Sequence, residues 1–204
     1  MWSVPFNLRH EDGPWTLTAN WSYLTIKGPA TVVAGGGAAR PTASSQSGIG
    51  DIYAGGTYTF GAIGEGVNMA ATARVKLPTA DEGRGLGTGA ADYYGEVTFY
   101  RTIDTVTPFV LAGYRVLGDN STYTLKDGVY FAGGAHVRMS PETVFSALLN
   151  WRQRIVAGGD NSCDAMVMVT HDATTRWQFT GYLLKGFTNA SPDVGVGAAA
   201  NWKF

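Results

Sequence analysis

The residues of this chain best suited to chemistry are cations set at alternating positions: Arg74 and Lys76, Arg152 and Arg154, with Arg115 between them in sequence. In an extended segment such spacing puts both members of a pair on one face. If the segments holding them run in the same direction, the five gather near one rim of an enclosed interior. A ring of that kind selects anions, or holds a carboxylate or phosphate on a passing solute. Four carboxylates, Asp51, Asp92, Glu96 and Asp164, fall on or near the same side. Pairing with them is the competing expectation, because a charge withdrawn from water needs a partner. The candidate pore-lining or solute-binding set is therefore Arg74, Lys76, Glu96, Arg115, His136, Arg138, Arg152 and Arg154.

Only His10, His136 and His171 could serve as a base near neutral pH. His136 falls beside Tyr130 and Arg138 on the interior parity, and Ser146 on the next segment could approach it. No carboxylate is spaced to orient that pair as a triad requires, so the expectation is a protein that is not an enzyme. Asp160, Asn161 and Asp164, or Asp81 with Glu82, offer oxygen ligands for calcium, but loop acids of this kind are ordinarily solvated. Gly85-Leu86-Gly87-Thr88-Gly89 has the glycines of a phosphate cradle without the helix or lysine that one needs, and reads as a flexible outer loop. Neither a metal nor a cofactor is expected.

Composition narrows the class that must position these residues. The 204 residues carry a net charge of -1, only 15% charged residues, 28 glycines, and 6 Trp, 10 Tyr and 9 Phe. So even a balance argues against nucleic acid as a partner. Cys163 is alone and forms no internal disulfide. No apolar run approaches the ~18 residues of a membrane helix, so a membrane would have to be crossed by strands. The first nine residues lack the basic start and apolar stretch of a secretory leader, which suggests a mature or N-terminally trimmed chain.

Alternation with period two dominates. Trp15, Leu17, Ala19, Trp21 and Tyr23 oppose Thr16, Thr18, Asn20 and Ser22, and the same contrast recurs at 67–77, 128–139 and 194–204. Weaker versions lie near 2–9, 49–60, 91–102, 106–117, 143–154, 163–171 and 175–187, giving eleven strands in one domain over 1–204. Short links near 10–14, 61–66, 103–105, 140–142 and 172–174 interleave with longer ones near 28–48, 79–90, 118–127, 155–162 and 188–193. The longest, Gly28 to Ser47 with Pro29 and Pro41, is expected to be mobile. Short turns on one rim and long loops on the other, aromatics such as Trp15, Phe60, Phe99, Phe145, Trp151, Trp177 and Trp202 near strand ends, and strands of ~9–11 residues predict a closed antiparallel transmembrane β-barrel. An even strand number is the rule. Twelve follows if one strand lies upstream, and ten if residues 1–14 stay outside the barrel. The rival is a soluble β-sandwich with these aromatics in its core.

Several motifs carry a family resemblance. Gly48-Ile49-Gly50-Asp51, then Lys76-Leu77-Pro78-Thr79 followed by Gly85-Leu86-Gly87-Thr88-Gly89 and Asp92-Tyr93, and Lys185-Gly186-Phe187 before Ser191-Pro192-Asp193, resemble the outer-membrane family labelled "MetA-pathway of phenol degradation" protein. The resemblance implies a barrel of about twelve strands that passes small molecules, with hydrophobic or aromatic cargo suggested by the family label. The ending Asn201-Trp202-Lys203-Phe204 resembles the signal read by the barrel-assembly machinery, with Trp202 and Phe204 as its aromatic elements. The resulting expectation is a passive channel or transporter in a bacterial outer membrane, in contact with lipid and lipopolysaccharide. Its alternatives are an adhesive or structural barrel acting through its loops and, further off, a lipid-modifying outer-membrane enzyme.

Overall fold

A computed structural model describes residues 2–26, 45–119 and 124–202. They form β1 (Trp2–Asp12), β2 (Trp15–Ile26), β3 (Gln46–Ile49), β4 (Ile52–Gly64), β5 (Val67–Leu77), β6 (Asp92–Tyr100), β7 (Val106–Val116), β8 (Gly128–Arg138), β9 (Thr143–Arg152), β10 (Ser162–Asp172), β11 (Trp177–Gly186) and β12 (Val194–Trp202). One 3-10 turn, Glu82–Arg84, interrupts them. Each strand pairs antiparallel with its sequence neighbour, except that β3 and β4 both pair with β2. β3 takes Tyr23 to Ile26 and β4 takes Trp15 to Asn20, so the two are one stave broken at Gly50-Asp51.

The result is a nearly closed, all-β antiparallel barrel of eleven staves, twelve strands if β3 is counted separately, with β1 and β12 approaching at the seam. The ten-strand alternative fails, because β1 pairs with β2 along its whole length, from Trp2↔Thr25 to Asp12↔Trp15. Most of the segment expected to be mobile, 27–44, lies outside the described residues, as does Phe204.

Which face looks where decides between barrel and sandwich. Leu17 is 51% exposed and Val196 is 77% exposed, both on the apolar parity of their strands. Val106, Pro108, Val110, Ala112, Tyr114 and Val116 are likewise the exposed residues of β7, while the intervening ones are half-buried or buried. Apolar side chains therefore cover the outside. A sandwich would bury them between two sheets. Among the described residues, deeply buried apolar side chains are few, and all but Ala70 sit at the long-loop rim: Leu24, Ala80, Leu86, Ala90, Leu117, Leu125 and Ile155. The dry part of the molecule is its long-loop mouth, and the interior below is lined by part-exposed side chains.

Aromatics band both ends of the outer surface, as side chains with an apolar body and a polar edge do at a membrane interface. At the short-turn rim Trp15 meets Tyr58 edge-on at 4.9 Å, Tyr58 meets Phe60 at 4.8 Å, and Trp177 meets Trp202 at 4.7 Å. Gly61, with φ +77°, accommodates the bulge where β4 shifts register against β5. Tyr23, Tyr93 and Tyr114 are exposed toward the other rim.

Candidate functional site

The ladders place the inward side chains on successive rungs across the barrel wall. One rung runs Lys76 to Asp92, the next Arg74 to Tyr94 to Arg115, and a third Thr72 to Glu96 to Gly113 to Tyr130 to Arg152. The interior parity thus brings together most of the cations and carboxylates singled out from sequence.

Lys76 belongs to a buried latch and does not front the lumen. Its side chain is 1% exposed; Nζ lies 2.7 Å from Asp92 Oδ2 and 3.8 Å from Asp51 Oδ2, and donates to Thr88 Oγ1 at 2.7 Å. Asp92 also accepts from the Gly118 N–H at 3.0 Å and from the Tyr94 hydroxyl at 3.2 Å. Asp51 accepts from the Ala80 N–H at 3.0 Å. Burial pushes the Asp51 carboxyl above its ordinary value, with the Ala80 N–H and the Lys76 ammonium acting against it and the Asp92 charge adding to it.

The segment between β5 and β6, expected to be flexible, is therefore folded into the mouth. Leu86 is 2% and Thr88 is 0% exposed. Leu86 lies over Gly48, where a Cβ would come within 2.6 Å of its Cδ1, and the Asp51 carboxylate lies where a Gly87 Cβ would meet it at 2.8 Å. These glycines serve close approach rather than mobility. Leu117, Leu125 and Ile155 from two further loops pack together beside Tyr94 and complete the narrowed mouth.

The two lumen-fronting ion pairs are asymmetric. Arg74 meets Glu96 at 3.1 Å, with side chains 37% and 13% exposed, and Arg152 meets Asp164 at 2.8 Å, with side chains 39% and 1% exposed. In each, the arginine is the more exposed partner and the carboxylate is withdrawn into the wall. Glu96 also accepts from the Tyr130 hydroxyl at 2.8 Å, Asp164 from Asn150 at 2.9 Å, and the Arg74 guanidinium stands over the Tyr94 ring at 5.5 Å. The expected pairing with carboxylates thus holds for Arg74, Lys76 and Arg152. Arg115 is buried and donates from Nη2 to the Gln153 carbonyl at 2.6 Å; among the described residues it has no carboxylate ion pair and its Nε has no hydrogen-bond partner.

Arg154 lies past the end of β9, exposed beside Trp151 and Asp160 in a depression of the outer rim, and not within the upper lumen as its spacing had suggested. Arg138 ends β8 at the opposite, short-turn rim, exposed and on the interior parity. His136 Nδ1 lies 2.7 Å from Ser146 Oγ, and its ring stacks on Phe109 at 4.9 Å. The Ser146 approach read from sequence is real, and among the described residues no carboxylate hydrogen-bonds the imidazole. His171 instead meets Thr143 Oγ1 at 2.9 Å near the short turns.

Two features escaped the sequence reading. Inward tyrosines recline on glycines of the adjoining strand: a Cβ on Gly113 would fall within the Tyr130 ring and one on Gly197 within the Tyr182 ring, whereas one on Gly134 would strike the Ala147 carbonyl of the neighbouring backbone. Gly113 and Gly197 are thus seats that let the two rings lie flat along the wall. Second, β7 and β9 to β11 turn Phe109, Leu111, Leu148, Met166, Met168 and Leu184 inward, a partly apolar wall within an otherwise polar interior. The doubled leucines at 148–149 and 183–184 and the unbroken apolar run at 165–169 signalled it, since apolar neighbours on a strand put apolar groups on both faces.

No family model matches the chain, and no curated protein matches it in sequence, so the phenol-degradation label gains no support from relatives. Solved structures do match. One is described as "KdgM porin in complex with disordered oligogalacturonate", with a TM-score of 0.59 over 99% of this chain and 99% of that one, at 7% sequence identity. At that identity the likeness is one of fold, a nearly closed antiparallel β-barrel in both chains.

Proposed function

We propose that the chain is a passive channel for small molecules in a bacterial outer membrane. The observation that carries this reading is the division of faces: the outer parity is apolar and exposed, while most inward side chains below the mouth stay part-exposed around an interior space. An apolar exterior of this extent is at home in hydrocarbon, and a closed sheet satisfies its backbone there without water. The long loops then face outward and the short turns face the periplasm. Lipopolysaccharide around the outer girdle and the assembly machinery acting on the last strand are the partners that this placement implies.

The lumen-facing guanidinium groups of Arg74 and Arg152 favour solutes bearing negative charge. An acidic solute, oligogalacturonate, is also what the KdgM porin of like fold was solved in complex with. Hydrophobic or aromatic cargo, suggested by the family resemblance, finds its support in the apolar stretch of the wall. Reconstitution into a planar bilayer tests the proposal. Discrete conductance steps with reversal potentials favouring anions are expected, and a folded barrel that gives no steps under any voltage refutes it.

A further inference from the structure

We infer that the lumen wall of β8 to β11 holds a binding site for small amphipathic carboxylates, of the class of a single aromatic ring bearing one carboxyl group. The inference rests on reading the lumen as a solute path and names the kind of solute that the path retains.

One rung of the wall reads Phe109, Gly134, Leu148, Met166, Leu184 and Gly195 in ladder order. Its four large members are apolar, face inward and remain only part-buried. Apolar groups left part-exposed in an enclosed path gain by covering one another with a solute's apolar body. The two glycines keep the rung shallow at Gly134 and Gly195. Thioethers beside an aromatic ring make a favourable and adaptable contact.

The next rung outward contains Asn150 and Asp164. Arg152 reaches back over it to meet Asp164 at 2.8 Å, with the arginine side chain part-exposed and the carboxylate hidden. Successive inward rungs lie about 7 Å apart along a strand, so the cation stands roughly one benzoate length from the apolar rung. A carboxylate on Arg152 would leave its ring lying over Leu148, Met166 and Leu184. Guanidinium groups bind carboxylates with two parallel hydrogen bonds, and among the described residues Arg152 uses Nη1 alone, on Ser162 and Asp164. A sugar acid satisfies the cation equally well but offers hydroxyls to the apolar rung, which is where selectivity arises.

The test measures benzoate and galacturonate binding to the detergent-refolded barrel by calorimetry, in parallel with block of chloride current in bilayers. Benzoate should bind more tightly than galacturonate. The double variant Met166→Gln/Leu184→Gln, which leaves every ion pair intact, should weaken benzoate by roughly tenfold and leave galacturonate unchanged. Arg152→Gln should weaken both, and Arg152→Lys should restore part of each. Equal affinity for the two acids, or benzoate binding indifferent to the double variant, overturns the inference. Binding with the expected selectivity in a barrel that never conducts supports the site and refutes the channel.

Discussion

Replacing Lys76 by Met removes, among the described residues, the cation that pairs with two buried carboxylates. Lys76 is 1% exposed, Asp92 is 2% and Asp51 is 8% exposed, so neither acid can turn to water without opening the mouth. Breaking a buried ion pair by deleting one partner costs about 3–5 kcal/mol, and the lost hydrogen bond to Thr88 adds roughly 1 kcal/mol. Proton uptake by one carboxylate recovers part of this. Most of the remainder falls on the segment 78–91, because Thr88, Ala80 and the two acids are what fix it in place. Its open form should rise in population by about two to three and a half orders of magnitude. Trypsin reports that population through the bond after Arg84, an exposed residue whose chain continues at once into buried Leu86. Rapid cleavage at Arg84 and noisier, larger conductance are expected in Lys76→Met. Adding Asp92→Asn should slow cleavage again, because one buried carboxylate instead of two is then left without its cation. If Lys76→Met is cut at the wild-type rate and conducts unchanged, the latch is not what holds the mouth.

The raised Asp51 carboxyl sets the sign of a pH effect. The protonated form is favoured in the closed mouth, so its stabilising contribution is full below the ordinary value of 3.8 and is lost as pH rises through the higher folded value. Cleavage at Arg84, compared with a reference substrate at each pH, should therefore slow on acidification toward that window, and Asp51→Asn should flatten the dependence. Gly197→Val denies the Tyr182 ring its seat and should push the hydroxyphenyl group into the lumen, lowering single-channel conductance while the barrel still shows heat-modifiable mobility. Gly195→Val, where the nearest side chain is 3.5 Å away, should have a smaller effect.

Strand positions, the alternation of short and long connections, and the partners of three cations were all legible, because each depends on parity within a strand or on pairing between sequence neighbours. Arg74 and Glu96 lie on inward positions of adjacent strands, and so do Arg152 and Asp164. The folded mouth was not legible. Gly85 to Gly89 looks like loose chain until Asp51, more than thirty residues earlier, is seen to fill the space that Gly87 leaves open. The break between β3 and β4 was hidden for the same reason, since it is where Asp51 leaves the ladder to receive the Ala80 N–H. Arg154 falls outside the lumen because the alternation of β9 stops at its last paired residue, Arg152. The apolar lumen wall lay in plain sight at 165–169, but a reading that assigns one apolar face per strand passes over residues that are apolar on both.

Spin labels placed singly along β7, with Cys163 replaced by Ala, test the central division of faces in lipid vesicles. Labels at Val110 and Ala112 should be reached by oxygen dissolved in the bilayer and shielded from a water-soluble nickel complex, while labels at Thr107 and Gly113 should show the opposite preference. Nickel accessibility at 110 and 112, or shielding of all four positions from both reagents, would contradict a barrel with hydrocarbon outside and a watered path within.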